Sequence, residues 1–162
     1  MTEIPLSRGL VALIDDEDYD LVNTYRWFAR PGGSTFYGIA NLTQARNGNS
    51  HRNLTLHRLI LGLPPRLPYV DHIDGNGLNN QKSNLRICTA AQNQYNRLLQ
   101  KNNTSGFKGV SWFPASKKWR CRIGVGAKKR ISLGLFDTPE EAYAAYCKAS
   151  LVYHGEFSKT SY

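Results

Sequence analysis

Short apolar runs separated by turn-forming residues dominate the first fifty positions of the chain. Residues 10–14 form an apolar run typical of a strand. Two more strands are predicted at residues 25–28 and 36–40, with Pro31-Gly32-Gly33 as the separating turn. A second turn-rich loop is predicted at residues 47–50. We expect residues 1–50 to form a small α+β support.

The stretch from residue 69 to residue 96 has the clearest pattern in the chain. Residues 69–72 follow a proline, which favours extended geometry, and residues 85–88 alternate like a half-buried strand. The segment between them is rich in glycine and asparagine and predicts a loop. Thr89 and Gln92 then have the spacing of a helix capping box. The predicted order is strand, loop, strand, helix, with Asn93 in the first helical turn.

The last sixty residues predict a sheet followed by one helix. Three strands are expected at residues 107–112, 118–125 and 129–133. In the middle strand, apolar side chains alternate with Arg120 and Arg122, so one face of the sheet is apolar and the other basic. Arg130 and Ser132 are expected on the same basic face.

The predicted C-terminal helix has both of its ends marked in the sequence. Thr138 is an N-cap, Pro139 occupies the first helical position, and Glu141 completes a capping box. Gly155 is the expected stop. One apolar stripe is predicted to face the sheet, and it comprises Ala142, Ala145, Tyr146, Ala149 and Val152 or Tyr153.

Residues 97–105 are polar and turn-rich, and they predict the main domain boundary. We expect one domain at residues 1–102, made of the support (1–50) and a core (51–102), and a second domain at residues 103–162. The fold class is α+β.

Charge is unevenly distributed along the chain. The formal net charge is +9, and residues 1–50 contribute a net −2. The excess of Lys and Arg therefore lies in the last two thirds, which indicates a polyanionic partner.

Cysteine usage and hydropathy narrow the class further. The three cysteines, Cys88, Cys121 and Cys147, form no CxxC pair, so we expect no structural zinc and a reduced, intracellular chain. No apolar run reaches membrane-spanning length, and the N-terminus lacks the features of a signal peptide. We expect a cytoplasmic protein with no membrane partner.

The residues of the central stretch suit hydrolysis of a phosphodiester. A histidine with a near-neutral pKa, such as His72, can take a proton from water. Asp71 and Asn93 offer one carboxylate and one amide oxygen, which suit a weakly held Mg²⁺ that keeps several waters, with Mn²⁺ as an alternative. Taken singly, these residues are more typical of surface pairs and ordinary turns than of a catalytic site.

In order and spacing, this stretch resembles the HNH nuclease family with its ββα-metal core. The resemblance implies that His72 is the general base, that Asp71 and Asn93 are metal ligands, and that Asn84 holds the loop and the histidine in place. Many relatives have histidine at the position of Asn93, so the chain resembles the asparagine variant of phage homing endonucleases.

Two residues ahead of this stretch remain open in function. His57 is as consistent with a buried structural histidine as with a catalytic one. Arg58 is predicted to reach a phosphate.

The C-terminal segment resembles the ethylene-response-factor type of DNA-binding domain, the apetala family. The match rests on residues 105–110, Trp119, residues 133–136, residues 140–142 and the Ala145-Tyr146 pair. The family contacts DNA through its sheet. The matching positions here are Lys108, Ser111, Arg120, Arg122, Arg130 and Ser132. Ser132 stands where the plant proteins have a contacting tryptophan, so the plant target sequence does not transfer.

Together, the two resemblances imply a phage or mobile-element DNA endonuclease of homing type, acting in a bacterial host on double-stranded DNA with a divalent metal. We expect nicking by a monomer on DNA, with a dimer as the alternative. A second hypothesis is a DNA-binding regulator with an inactive nuclease core. A third, an RNA-binding or structural basic protein, is disfavoured because a sheet of this kind fits the grooves of B-form DNA.

Overall fold

The computed structural model describes residues 1–42, 52–97, 99, 102–126 and 129–160. The fold is α+β, and it divides into two compact units, Met1–Cys88 and Thr89–Tyr162. Among the described residues, no helix is long and apolar enough to cross a lipid bilayer. The domain boundary at residue 102 remains a prediction from the sequence.

Over its described residues, the first unit contains seven short strands and two short α-helices. In chain order its elements are β1 (Thr2–Pro5), β2 (Val11–Ile14), α1 (Tyr19–Asn23), β3 (Phe28–Gly32), β4 (Thr35–Leu42), β5 (Arg52–Thr55), α2 (Leu56–Ile60), β6 (Tyr69–His72) and β7 (Leu85–Cys88). Three antiparallel sheets result, with the orders β1-β2, β3-β4-β5 and β6-β7.

One apolar core lies beneath all three sheets of this unit. It includes Ala12 and Ile14 of β2, Leu56 of α2 and Leu85 of β7, all at least nine-tenths buried. The N-terminal residues and the β6-β7 hairpin therefore share a single core, so the N-terminal strands support the hairpin through burial of apolar surface.

Two details of this unit differ from the sequence prediction. The strand expected at residues 25–28 begins only at Phe28. Trp27 lies before it, is buried, and donates from its indole Nε1 to the carbonyl of Val22. Pro31 and Gly32 lie within β3, so the turn is at residues 33–34. The loop predicted at residues 47–50 lies outside the described residues.

The second unit begins with a short helix, α3 (Ala90–Tyr95), and continues with a three-stranded antiparallel sheet and a long helix. The strands are β8 (Val110–Phe113), β9 (Lys118–Val125) and β10 (Lys129–Phe136), in the order β10-β9-β8, and the helix is α4 (Pro139–His154). The capping boxes predicted at Thr89 and Thr138 are both present.

The first strand of this sheet starts later than predicted, because residues 107–109 form a turn. Gly109 has a φ of +77°, and a Cβ on it would clash with the ring of Tyr146 and the carbonyl of Arg122. Only glycine fits this close approach of turn, sheet and helix.

Helix α4 packs on the sheet through Ala142, Tyr146, Ser150 and His154, which are all buried. The predicted continuation of the stripe at Val152 or Tyr153 is wrong, since these side chains are 78% and 48% exposed. The buried side chains follow an i, i+4 spacing to the end of the helix. Two of them are polar and have internal partners: Ser150 hydrogen-bonds to His154, and Nε2 of His154 donates to the carbonyl of Gly124 in the sheet.

Candidate functional site

Asp71 and His72 are consecutive residues of β6, so their side chains lie on opposite faces of the β6-β7 hairpin. Asp71 lies opposite Arg86 and His72 opposite Leu85 in the antiparallel register. Both are buried, each with 5% of its surface exposed. A carboxylate and an imidazole are costly to bury without partners, so their environments decide their chemistry.

Asp71 has an ionic partner, the partly buried Arg86, that the sequence analysis did not single out. Arg86 donates from Nε and Nη2 to Asp71 Oδ2, at 2.9 and 2.8 Å. The register of the hairpin puts the two side chains directly opposite each other. The guanidinium therefore balances the carboxylate charge and fixes its orientation.

His72 lies in an aromatic and amide environment. The ring of His57 meets it edge to face at a centroid distance of 5.2 Å, and the ring of Tyr37 lies 5.7 Å away. Its Nε2 lies 3.3 Å from Oδ1 of Asn80. Burial lowers the pKa of His72, and the hydrogen bond with Asn80 and the nearby carboxylates oppose this effect. The ring is therefore neutral at neutral pH, the form that can accept a proton.

Asn84 ties together the loop between the two strands. Its Oδ1 accepts the backbone N–H of Asp74 at 3.0 Å, and its Nδ2 donates to Asp74 Oδ1 at 3.0 Å and to the carbonyl of Asn79 at 2.8 Å. Asp74 also accepts the backbone N–H of Asn76 at 2.7 Å. A buried asparagine that uses both of its amide groups in this way makes the loop rigid.

Gly77 in this loop lets the loop approach β4. A Cβ on Gly77 would lie within 3 Å of the carbonyl of Phe36 and the ring of Tyr37. The N–H of Gly77 donates to Oγ1 of Thr35 at 2.9 Å. The loop is thus fastened to the strand that supplies the aromatic ring beside His72.

Asn93 lies on α3, in the second unit. The helix starts with the capping box of Thr89, and the N–H of Asn93 donates to the carbonyl of that residue at 3.0 Å. The side chain is half-buried. The ligand role of Asn93 stays a prediction.

Arg58 lies in the interior of the first unit. It is 6% exposed, and its guanidinium donates to the carbonyls of Pro64 and Pro68. A phosphate contact would require the side chain to leave both carbonyls, so the structure assigns Arg58 a loop-holding part. Its predicted phosphate contact stays a prediction.

His57 is half-buried beside His72, and its position leads to a prediction about acid stability. Burial lowers the pKa of His57 to about 3, with smaller effects from His72 and Arg58. An unfolded histidine titrates near about 6.5. Below that pH the unfolded chain binds a proton that the folded chain does not, so stability falls as the pH drops towards 3, by about 1.4 kcal/mol per pH unit.

Urea unfolding at several pH values measures this slope. In the His57→Gln variant, the loss of stability per pH unit should be smaller by the contribution of one proton, since glutamine does not titrate. An identical slope in the variant would show that His57 titrates normally in the folded protein.

The basic face of the second sheet is formed as the alternation predicts. Ser111 pairs with Arg120, Ser132 with Arg122, and Arg130 with Gly124. Cys121 and Ile123 lie on the other face and are fully buried in the core with α4.

Three guanidiniums crowd this face. Burial lowers the pKa of Arg122, and the positive charges of Arg120 and Arg130 lower it further. The guanidinium of Arg120 lies over the ring of Phe113, with 4.8 Å from Cζ to the ring centroid. A polyanion laid on this face would relieve the mutual repulsion.

An open groove of about 810 Å³ continues this surface within the second unit. Its lining includes Lys108, Arg122, Lys129 and Arg130. Lys108 donates from Nζ to the carbonyls of Tyr95 and Arg97, just past the end of α3, and burial lowers its pKa to about 8. Its predicted DNA contact stays a prediction.

Comparison with known proteins finds matches to two segments of the chain. A family model described as an HNH endonuclease matches residues 63–95, which include the hairpin and α3. A family model described as an AP2 domain matches residues 105–156, which include the second sheet and α4. One segment of the chain thus matches the HNH endonuclease model, and a second segment matches the AP2 domain model.

The relatives of this HNH–AP2 chain are viral and plant proteins. Protein 3.8 of Escherichia phage T7 is 37% identical over 78 residues, 48% of this chain and 64% of the relative. An uncharacterized HNH endonuclease of Acanthamoeba polyphaga mimivirus is 33% identical over 109 residues, 64% of this chain and 50% of the relative. The ethylene-responsive transcription factor ERN1 of Medicago truncatula is 33% identical over 86 residues, 52% of this chain and 32% of the relative.

The HNH–AP2 chain thus spans less than two thirds of the length of the relatives it matches. No solved structure matches it.

Sequence reasoning missed two residues of the HNH segment, Arg86 and Asn80. Arg86 was visible only as a strand residue, and its role follows from a cross-strand register spanning the loop. Asn80 was one of several asparagines in that loop, and its complete burial and its backbone bond to Leu13 of β2 distinguish it from the others.

Proposed function

We propose that this chain is a DNA endonuclease of homing type, which hydrolyses a phosphodiester with His72 as the general base. The observation that supports this most strongly is the buried, neutral imidazole of His72 next to the buried carboxylate of Asp71, on a hairpin within the HNH match. A neutral imidazole at this position can take the proton of the attacking water as the bond to phosphorus forms.

Asp71 and Asn93 are the residues proposed to hold a divalent cation, most simply Mg²⁺. Among the described residues, no group of three or more His, Cys, Asp or Glu side chains gathers. The proposed ligand set is one carboxylate and one amide. This set suits Mg²⁺, which is often held by one or two carboxylates and completes its shell with water and phosphate. Such a cation stabilises the charge that develops on phosphate and on the leaving oxygen.

The remaining residues of the hairpin support these two roles. Arg86 holds the Asp71 carboxylate in a fixed orientation, and Asn84 holds the loop that follows His72. Because both contacts are largely shielded from water, the site needs little reorganisation before the reaction.

The AP2 domain is proposed to bind double-stranded DNA through Ser111, Arg120, Arg122, Arg130 and Ser132. A sheet of this size can enter the major groove, where arginine recognises guanine with two hydrogen bonds. The register that places these side chains on one face and the basic groove beside them support this.

A plasmid assay tests the proposed function. Supercoiled plasmid is incubated with the full chain, in Mg²⁺ and in chelator. Cleavage in Mg²⁺ and none in chelator is expected. Binding without cleavage in both would favour the regulator with an inactive nuclease core.

The strand outcome is a separate prediction. One site with one general base attacks one phosphodiester, and the single asymmetric sheet suits a monomer on a site without twofold symmetry. Open-circle DNA should therefore appear before linear DNA, at a rate that is first order in bound enzyme. Linear product without an open-circle intermediate would indicate a dimer cutting both strands.

Alanine substitutions on the basic face separate base recognition from phosphate contact. If Arg120, Arg122 or Arg130 recognises guanine, its alanine variant should lose about 1–3 kcal/mol of binding and relax specificity at one base pair. If it meets only phosphate, binding should weaken evenly and the salt slope should fall by about one.

Lys148→Ala is the matched control for this series, because Lys148 is an exposed lysine on α4, on the far side of the sheet from the basic face. Its DNA affinity and specificity should match the wild type. An arginine variant that behaves like this control would have no part in binding.

A further inference from the structure

Asn80 is an asparagine with no exposed surface at all, at the end of the loop of the HNH segment. Its backbone N–H donates to the carbonyl of Leu13 in β2 at 2.7 Å, and its side-chain Nδ2 donates to the carbonyl of Leu78 at 3.0 Å. Because the backbone is fixed to β2 and the side-chain Nδ2 is bonded to Leu78, the buried side-chain amide has a single orientation.

That orientation settles which atom faces His72. A carbonyl oxygen only accepts hydrogen bonds, so the NH₂ group of Asn80 must face Leu78 and its Oδ1 must face His72. The distance from Oδ1 to Nε2 of the imidazole is 3.3 Å. Because Oδ1 also only accepts, Nε2 must carry the hydrogen in the neutral ring.

We infer that Asn80 is the positioning residue of the proposed base: it holds His72 in the Nε2–H tautomer, so that Nδ1 has the lone pair that accepts the proton of water. This inference rests on the proposed function for its meaning in catalysis. The tautomer itself is a property of the folded chain.

The support for Asn80 extends into the N-terminal strands. Leu13 of β2 both donates to the carbonyl of Leu78 at 2.8 Å and accepts from Asn80, which makes a parallel bridge to the loop. The carboxylate of Asp15, just after β2, accepts the N–H of Lys82 at 2.8 Å. The N-terminal support therefore fixes the amide that in turn fixes the imidazole.

The neighbouring rings limit how else the imidazole can lie. His57 packs edge to face against His72, and Tyr37 lies against both rings, at 5.7 Å from His72 and 6.0 Å from His57. These rings restrain the plane of the imidazole but do not choose its tautomer. Removal of the Asn80 acceptor should therefore change the tautomer before it changes the ring position.

The ¹⁵N shifts of the imidazole nitrogens measure the tautomer directly in metal-free, histidine-labelled full-length protein at alkaline pH. The signals of His72 are identified by their loss in His72→Gln. Wild-type protein should show the Nε2–H form. Asn80→Ala should show a mixture, and Asn80→Asp, which keeps an acceptor oxygen, should restore the Nε2–H form. Asn79→Ala, which loosens the same loop through the bond to Asp74, should leave the tautomer unchanged.

Cleavage by the same variants completes the test. Asn80→Ala should lower kcat by about 10- to 100-fold with KM and DNA affinity unchanged, since a misplaced proton removes the base but not the DNA contacts. An Nδ1–H ring in the wild type, or an unchanged tautomer in Asn80→Ala, overturns the inference. The wild-type spectrum does not depend on the folding of any variant, and it determines the tautomer even if the protein cuts no DNA. A failure to cut DNA would count against the proposed function alone.

Discussion

Alanine in place of His72 is expected to slow DNA cleavage by about 10² to 10⁴-fold, because the general base is lost. DNA affinity should remain at the wild-type value, since a neutral, buried imidazole contributes little to phosphate binding. Single-turnover cleavage of saturated DNA measures the first quantity, and titration in chelator measures the second.

Ile87→Ala is the matched control for this variant. Ile87 lies on the partner strand of the same hairpin and is 57% exposed, so its loss should alter neither fold nor cleavage. Because His72 is buried, the thermal unfolding of both variants must also be recorded. A folded His72→Ala protein that cuts at the wild-type rate would remove His72 from the mechanism.

The second large effect concerns the metal requirement. Cleavage should vanish in chelator and return with Mg²⁺ or Mn²⁺. Asp71→Asn should raise the Mg²⁺ concentration for half-maximal rate, because the only predicted carboxylate ligand is lost. Asparagine is preferred to alanine here because its Oδ1 can still accept a hydrogen bond from Arg86. Both substitutions remove the charge that balances the guanidinium, which costs about 3–5 kcal/mol when such a pair is buried.

Arg86→Gln should change the Mg²⁺ requirement in the opposite direction, so it separates the loss of a metal ligand from a general loss of stability. It removes the positive charge that lies 2.8 Å from Asp71 Oδ2, so the Mg²⁺ requirement should fall even though the fold is weakened. A variant that raised the requirement in the same way as Asp71→Asn would show that both act through stability alone.

Asn93→His extends the metal series. It introduces the imidazole found at this position in many HNH proteins and should shift preference towards softer ions. An unchanged metal profile would place Asn93 outside the ligand set.

Local chemistry explains why much of the fold could be predicted from the sequence. The capping boxes at Thr89 and Thr138 involve residues three positions apart, and Gly155 ends α4 with a φ of +54°. The alternation along β9 likewise depends only on neighbouring residues. Patterns of this range are visible in any single sequence.

The partners within the candidate site depend on pairing over longer distances. Arg86 meets Asp71 only because the hairpin register brings together residues fifteen positions apart. Asn80 is distinguished from Asn79 by a bond to β2, which lies far away in the sequence. A pattern of residue types contains neither the register nor the docking of the loop.

Burial explains the remaining differences. Arginine is rarely buried, and Arg58 was considered only as a phosphate contact, yet two proline carbonyls hold its side chain inside the first unit. The stripe of α4 was predicted from apolar residues, while the structure uses Ser150 and His154, which satisfy each other. Polar residues with internal partners escape a prediction based on hydropathy.

The chemistry of the cut DNA ends tests the proposed function most directly. DNA selected for binding to the full-length chain in chelator is end-labelled, and Mg²⁺ is then added. We expect cleavage that begins with the Mg²⁺ addition, is absent in His72→Ala, and leaves a 5′-phosphate and a 3′-hydroxyl. Bound DNA that stays intact after Mg²⁺ addition, or ends of the opposite polarity, would contradict the proposed function.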